Sequence, residues 1–104
     1  MNRLFITGKV EKALEVTESE RGIKRGTLIL GVDKGTVDNA NRPIIDMYQI
    51  IFWKNSLDRA DSIEVGQTVG IYAHLSANNY IKDDGTVIYK AEIVADNAKI
   101  EVYA

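Results

Sequence analysis

The sequence predicts an all-β fold with one short helix, arranged as a five-stranded Greek-key barrel. Three observations lead there. Apolar residues recur with a period of two rather than about 3.6. Val, Ile, Thr and Tyr gather in runs punctuated by Gly, Asp and Asn. The one stretch with helical spacing falls between the third and fourth of those runs. A chain of 104 residues buries one core and is too short to divide into two, so residues 1–104 are expected to form one domain.

In the first run Leu4, Ile6, Gly8 and Val10 share one face, and Phe5, Thr7 and Lys9 share the other. Gly8 stands where a barrel strand must bend sharply, so this strand should be long and coiled. A charged stretch from Glu11 to Arg25 holds a turn near Glu20-Arg21-Gly22; Leu28, Leu30 and Val32 then alternate with Thr27, Ile29 and Gly31 as a second strand. Lys34 to Pro43, with Gly35, Asn39, Asn41 and the only proline, has turn composition without periodicity and reads as an exposed loop. Ile44 to Lys54 is the third strand, with Met47, Gln49, Ile51 and Trp53 on one face and Tyr48, Ile50 and Phe52 on the other. Both faces are largely apolar, so both are expected to be covered.

Asn55 then caps a short helix, with Asp58 near its positive end and Leu57, Ala60 and Ile63 at helical spacing, closed by Val65-Gly66. Val69, Ile71, Ala73 and Leu75 alternate with Tyr72, His74 and Ser76 in a fourth strand that runs on through Asn78 to Tyr80. Lys82-Asp83-Asp84-Gly85 is a hairpin turn, since Asp-Gly readily takes the positive φ that twisted strands require. Val87 to Val94 returns, before a final run at Ile100 to Tyr103. Five strands with a helix between the third and fourth is the OB arrangement.

Composition narrows the chemistry. No apolar run is long enough to span a membrane, and Met1-Asn2-Arg3 leads into the first strand without a signal-peptide stretch, so a cytoplasmic location and no membrane partner are expected. With no cysteine there is no disulfide, thiol nucleophile or thiolate metal site. His74 is the only histidine, which removes histidine-rich metal sites and leaves it reading as a surface residue. Asp83-Asp84 and Glu18 to Glu20 read as solvated turn acids, and Gly31 to Gly35 lacks the Gly-Lys-Ser/Thr ending of a phosphate loop. Neither an enzymatic activity nor a cofactor is expected. The net charge of −2 argues against a global positive field, so any nucleic-acid binding must rely on local cations and on stacking.

Three stretches carry a resemblance: Asn2-Arg3-Leu4-Phe5-Ile6-Thr7-Gly8-Lys9-Val10, Ile50-Ile51-Phe52-Trp53-Lys54 before the helix, and Val94-Ala95-Asp96-Asn97 near the end. Taken in register with Val65-Gly66 and with Tyr80 before the Gly85 turn, the chain resembles the bacterial and phage single-stranded DNA-binding protein family over almost its whole length. The resemblance implies an OB domain that assembles as a tetramer, or else a dimer, in the bacterial cytoplasm or nucleoid and wraps unpaired DNA without reading sequence. A phage, plasmid or other accessory version, or a trimmed form of a longer chain, fits the short form equally. The family's acidic C-terminal tip has no counterpart before Ala104, so partners recruited by a tail are not expected.

By family register the stacking positions fall at Trp53 and Tyr80, with a third at Met47, where methionine keeps bulk but lacks a flat π-face. From the strand pattern alone Trp53 fits a core or subunit-interface position equally well. Tyr72 shares a strand face with His74, and the family often has basic residues where this chain has His74 and Asn78. Lys9, Lys54, Lys82, Arg3, Lys34 and Arg42 are candidates for phosphate contacts, with Lys9 and Lys54 favoured because the register brings both to the stacking surface. Arg21, Lys24 and Arg25, the densest basic cluster, read as a solubilising turn. A second reading resembles primosomal replication protein N, an OB adaptor that works as a dimer through protein contacts.

Overall fold

In the computed structural model, which describes residues 1–104 apart from the side chains of Asn55, Asn97, Ala98 and Lys99, the first strand serves two neighbours. β1 (Leu4–Glu18) pairs through Leu4–Lys9 with β4 (Thr68–Ala77) and through Lys9–Glu18 with β2 (Lys24–Val37). The handover falls next to Gly8. A Cβ there would collide with the carbonyl oxygen of Gly31, so only glycine lets β1 and β2 approach this closely. Register shifts between Val10 and Lys12 and between Lys12 and Glu15 add the bulges that bend the strand, as the sequence leads one to expect.

β2 pairs antiparallel with β3 (Pro43–Trp53), and β3 runs parallel to β7 (Ala91–Val102) through Ile50↔Ile93 and Ile51↔Val94. β7 pairs antiparallel with β4, which closes a five-stranded barrel in the order β1-β2-β3-β7-β4. The period-two pattern sets its inside: Val10, Leu28, Leu30, Ile50, Phe52, Val69, Ile71 and Ala95 form the buried core. Helix α1 (Asn55–Ala60) and the turn after it plug one end with Ala60 and Ile63, while Leu57 is partly buried against the same cluster. Among the described residues, no helix is long and apolar enough to cross a membrane.

Three hairpin turns share one design. Ser19–Ile23, Asp38–Arg42 and Lys82–Thr86 each close with an N–H donated back across the loop. The last loop residue has positive φ: Gly22, Asn41 and Gly85. Nearby side chains accept the loop N–H groups: Ser19 Oγ from Ile23, Asp38 Oδ1 from Ala40 and Arg42, and Asp84 Oδ1 from Thr86.

Four expectations need correction. The segment from Lys34 to Pro43 is not an open loop: β2 continues to Val37, which pairs with Pro43, and only a tight turn remains. The helix ends at Ala60 rather than near Val65, because the chain turns to drive Ile63 into the core. Lys54 holds the N-cap position without a side-chain capping bond; the Asn55 side chain, expected as the cap, lies outside the described residues. The fourth strand stops at Ala77. Tyr80 belongs to β5 (Tyr80–Ile81), which pairs with β6 (Val87–Ile88) as a separate ribbon, and β7 runs unbroken through the expected final run as far as Val102.

Candidate nucleic-acid interface

The outward residues of β3 are Ile45, Met47, Gln49, Ile51 and Trp53, opposite Asp33, Gly31, Ile29, Thr27 and Arg25 of β2. This face was expected to be covered, and only Ile51 is, at 2% exposure; Met47 is 57% and Trp53 38% exposed. With Ile45, three sizeable apolar groups therefore stand in water on one strand face. Met47 and Trp53 are six residues apart, about 20 Å along a strand at its usual rise.

Trp53 is held in place at its backbone. Ser56 Oγ, buried beneath it, accepts from the Trp53 N–H at 3.0 Å and donates to the Trp53 carbonyl at 2.7 Å. Between them Lys54 takes φ 47° and ψ −116°, a conformation close to the first central residue of a type II′ turn and one that favours glycine. The indole is also covered from β2: the Arg25 guanidinium lies 5.7 Å from its ring centroid and reaches on across β3 to Glu92 Oε2 of β7 at 3.0 Å. Thr17, Glu18, Ser19 and Ile23 complete a shallow groove beside the ring.

The ribbon supplies the second group of rings. Tyr80 is 46% exposed with Lys90 Nζ 5.4 Å from its ring centroid, and Tyr89 is 78% exposed. Lys82 opens the hairpin turn, donating its backbone N–H to the Thr86 carbonyl. The ribbon leaves the barrel just beyond the Ala77↔Ala91 pair, next to Glu92. Hence the Arg25–Glu92 ion pair ties the Trp53 groove to the base of the ribbon.

Other candidates gather elsewhere. Arg3, Tyr72 and His74 line one concavity with Asp96, whose Oδ1 lies 2.7 Å from His74 Nδ1. Asn2 docks this corner by hydrogen bonding both the N–H and the carbonyl of Leu75. Phe5 and Tyr72 pack with ring centroids 4.5 Å apart. Nearby, Tyr103 donates to Glu101 at 2.6 Å, which raises the phenol above its ordinary value of 10.0. Lys9 lies opposite Gly31, and so in line with Met47 near the middle of β3, whereas Lys54 follows Trp53 at its end; the two lysines expected on one surface stand about half a strand apart along β3. Lys34 is paired with Asp46 at 3.2 Å and Arg42 with Asp38 at 3.2 Å.

Sequence reasoning missed Arg25, Tyr89, Lys90 and Ser56. Tyr89-Lys90 sits in a run read as plain strand, and Ser56 in a run read as helix. The signal for Arg25 was the basic cluster itself, but linking it to Trp53 needs the β2–β3 register. Among the described residues, no group of three or more His, Cys, Asp or Glu is placed to hold a metal ion.

What the arrangement supports chemically is adhesion of flat rings and phosphates to an outer sheet face. The model of the single-strand binding protein family matches residues 1–101. The chain is 25% identical to single-stranded DNA-binding protein 3 of Listeria innocua over 100 residues, covering 95% of this chain and 62% of that protein. It is 22% identical to the single-stranded DNA-binding protein of Bacillus cereus, covering 95% and 59%. It thus spans about three fifths of the length of these curated relatives. In fold it resembles the chain in a Plasmodium falciparum SSB complex with ssDNA, with a TM-score of 0.73 at 17% identity, covering 100% of this chain and 96% of that one. A match over residues 1–101, carried on the closed barrel just described, places this chain in the single-strand binding protein family.

Proposed function

We propose that the chain binds single-stranded DNA without regard to sequence, coating exposed strands during replication, recombination and repair. The observation that carries this reading is Trp53, a backbone-anchored indole on the outer barrel face with a guanidinium beside it. Every base has a π-face, so stacking on such a ring contributes about 1–3 kcal/mol per base whatever the sequence. Tyr80, Tyr89 and Met47 extend the track, and Lys9, Lys54, Lys82 and Lys90 supply the cations along it, with Arg3 in the separate concavity of Tyr72 and His74. Family membership favours this reading over the adaptor reading.

Binding of this kind involves no catalytic step and no cofactor. The exposed Phe5, Tyr72 and Tyr103 cluster on the outside of β1 and β4 supports assembly, with a homotetramer favoured over a dimer. The bacterial relatives support action in the cytoplasm.

Because Trp53 is the only tryptophan, a titration with unstructured oligo-dT reads the site directly. Strong quenching of its fluorescence at low salt, weakening as salt rises, is the expected result. Absence both of quenching and of a salt-sensitive anisotropy change on labelled oligo-dT would overturn the proposal. Light scattering of the free protein settles the assembly.

A further inference from the structure

Arg25 is in an unusual position for a surface arginine. Its guanidinium lies over Trp53, its Nη2 is bound to Glu92, and its Nε is buried without a hydrogen-bond partner. One Glu92 oxygen therefore already occupies Nη2 of a cation that stands beside the stacking ring. A carboxylate and a phosphodiester both present paired oxygens to a guanidinium fork, so they compete for the same donors. Arg25 lies over Trp53, so on the single-stranded DNA reading a base stacked there would bring its phosphate to the same sheet face.

From this we infer that Glu92 is an internal phosphate surrogate: it holds Arg25 in the free protein and is displaced by a DNA phosphate on binding, which lowers affinity and flattens its salt dependence. This deepens the single-stranded DNA reading and rests on it. The same pattern recurs around the barrel, where Lys34, Arg42 and His74 face Asp46, Asp38 and Asp96. Glu92 is the member of that set whose partner touches the tryptophan. When a phosphate takes Arg25, the DNA releases a counterion, but the freed Glu92 carboxylate recruits one. The two largely cancel, so Arg25 adds little to the net ion release that drives binding.

The test is a thermodynamic cycle on oligo-dT, read by Trp53 quenching over a salt series, with Glu92→Gln, Arg25→Gln and the double variant. Glu92→Gln keeps the shape of the side chain, and circular dichroism verifies the barrel before binding is measured. Glu92→Gln is expected to bind about 5- to 10-fold more tightly near 50 mM salt, with a log–log salt slope steeper by up to about 0.7, the single-strand value for one phosphate. In the Arg25→Gln background the same change should have no effect. A removal of charge elsewhere, Glu64→Gln, should produce less than half of the gain.

Unchanged or weaker binding by Glu92→Gln overturns the inference; weaker binding would make Glu92 a group that orients Arg25. A gain that persists without Arg25, or is matched by Glu64→Gln, overturns it in favour of general charge. Failure of the unaltered protein to bind oligo-dT is a separate result and counts against the single-stranded DNA reading itself.

Discussion

The Ser56 hydroxyl brackets the backbone of Trp53, accepting from its N–H at 3.0 Å and donating to its carbonyl at 2.7 Å. One buried atom thereby satisfies two main-chain groups where β3 ends, and it sets the position from which the indole projects. Replacing Ser56 with Ala leaves both groups without that partner, and a lost buried bond of this kind costs about 1–3 kcal/mol. Urea denaturation of Ser56→Ala should show that loss. Its Trp53 emission and oligo-dT affinity should change as well, which a purely structural serine remote from the ring would not cause.

Trp53→Ala should weaken oligo-dT binding about 5- to 150-fold, the equivalent of one lost stacking contact of about 1–3 kcal/mol. Lys9→Ala should act less strongly and mainly through salt, flattening the log–log slope by about 0.7. Anisotropy with labelled oligo-dT at two salt concentrations ranks the two. A larger effect from the lysine would assign the affinity to charge rather than to stacking.

Lys54 pulls stability and binding in opposite directions. Its φ of 47° is strained for any residue with a Cβ, so Lys54→Gly should stabilise the fold by about 1 kcal/mol in chemical denaturation. The same variant removes a cation beside Trp53 and should bind oligo-dT more weakly, with a flatter salt slope. Destabilisation by glycine would mean that the backbone here is not held as described.

Gly8 packs against the carbonyl of Gly31, the partner of Lys9 in the β1–β2 register, yet the two glycines should tolerate alanine very differently. A methyl at Gly8 meets the fixed carbonyl of Gly31, so Gly8→Ala should cost about 3 kcal/mol, at the upper end for overpacking. A methyl at Gly31 meets side-chain atoms instead, Glu11 Oε1 at 2.8 Å, Glu11 Cγ at 2.9 Å and Ile45 Cγ2 at 3.1 Å, and these can shift where a backbone carbonyl cannot. Thermal melts of Gly31→Ala should stay within about 1 kcal/mol of the unaltered protein.

The ribbon turn carries its own pH dependence. Asp84 accepts from the Thr86 N–H, and that hydrogen bond lowers its carboxyl below the ordinary 3.8. A group whose pKa is lower folded than unfolded stabilises above its unfolded value, and that contribution disappears as pH falls through the folded value. Ordering of the turn should therefore be constant above about pH 4 and decline progressively below 3.8, read from the Thr86 and Gly85 amide signals in NMR spectra. Asp84→Asn should abolish this dependence.

Much of this fold can be read from local chemistry. Alternation alone puts Ile50 and Phe52 on one face of β3 and Met47 and Trp53 on the other, because successive strand side chains point to opposite faces, but with both faces apolar it does not say which is inside. Gly22 and Gly85 mark turns because they sit where positive φ is required. The same local rules missed the breaks around the ribbon. Tyr80 and Val87 have strand-forming neighbours, and nothing in the pattern marks Asn78 as the point where β4 leaves the barrel.

The sequence by itself thus determined which residues share a strand face, where the Gly22 and Gly85 turns fall, and that the only tryptophan ends the third strand. The tertiary structure decided what stands next to that tryptophan. Counting straight back from the Asp38–Arg42 turn would set Trp53 opposite Thr27, but the irregularity between Asp33 and Val37, at Gly35, slides β2 by two residues and sets Arg25 there instead. Only barrel closure, with β7 laid parallel to β3, then brings Glu92 to Arg25. Alternation is local and repeats along each strand, whereas register and closure depend on a single bulge and on residues far apart in the chain.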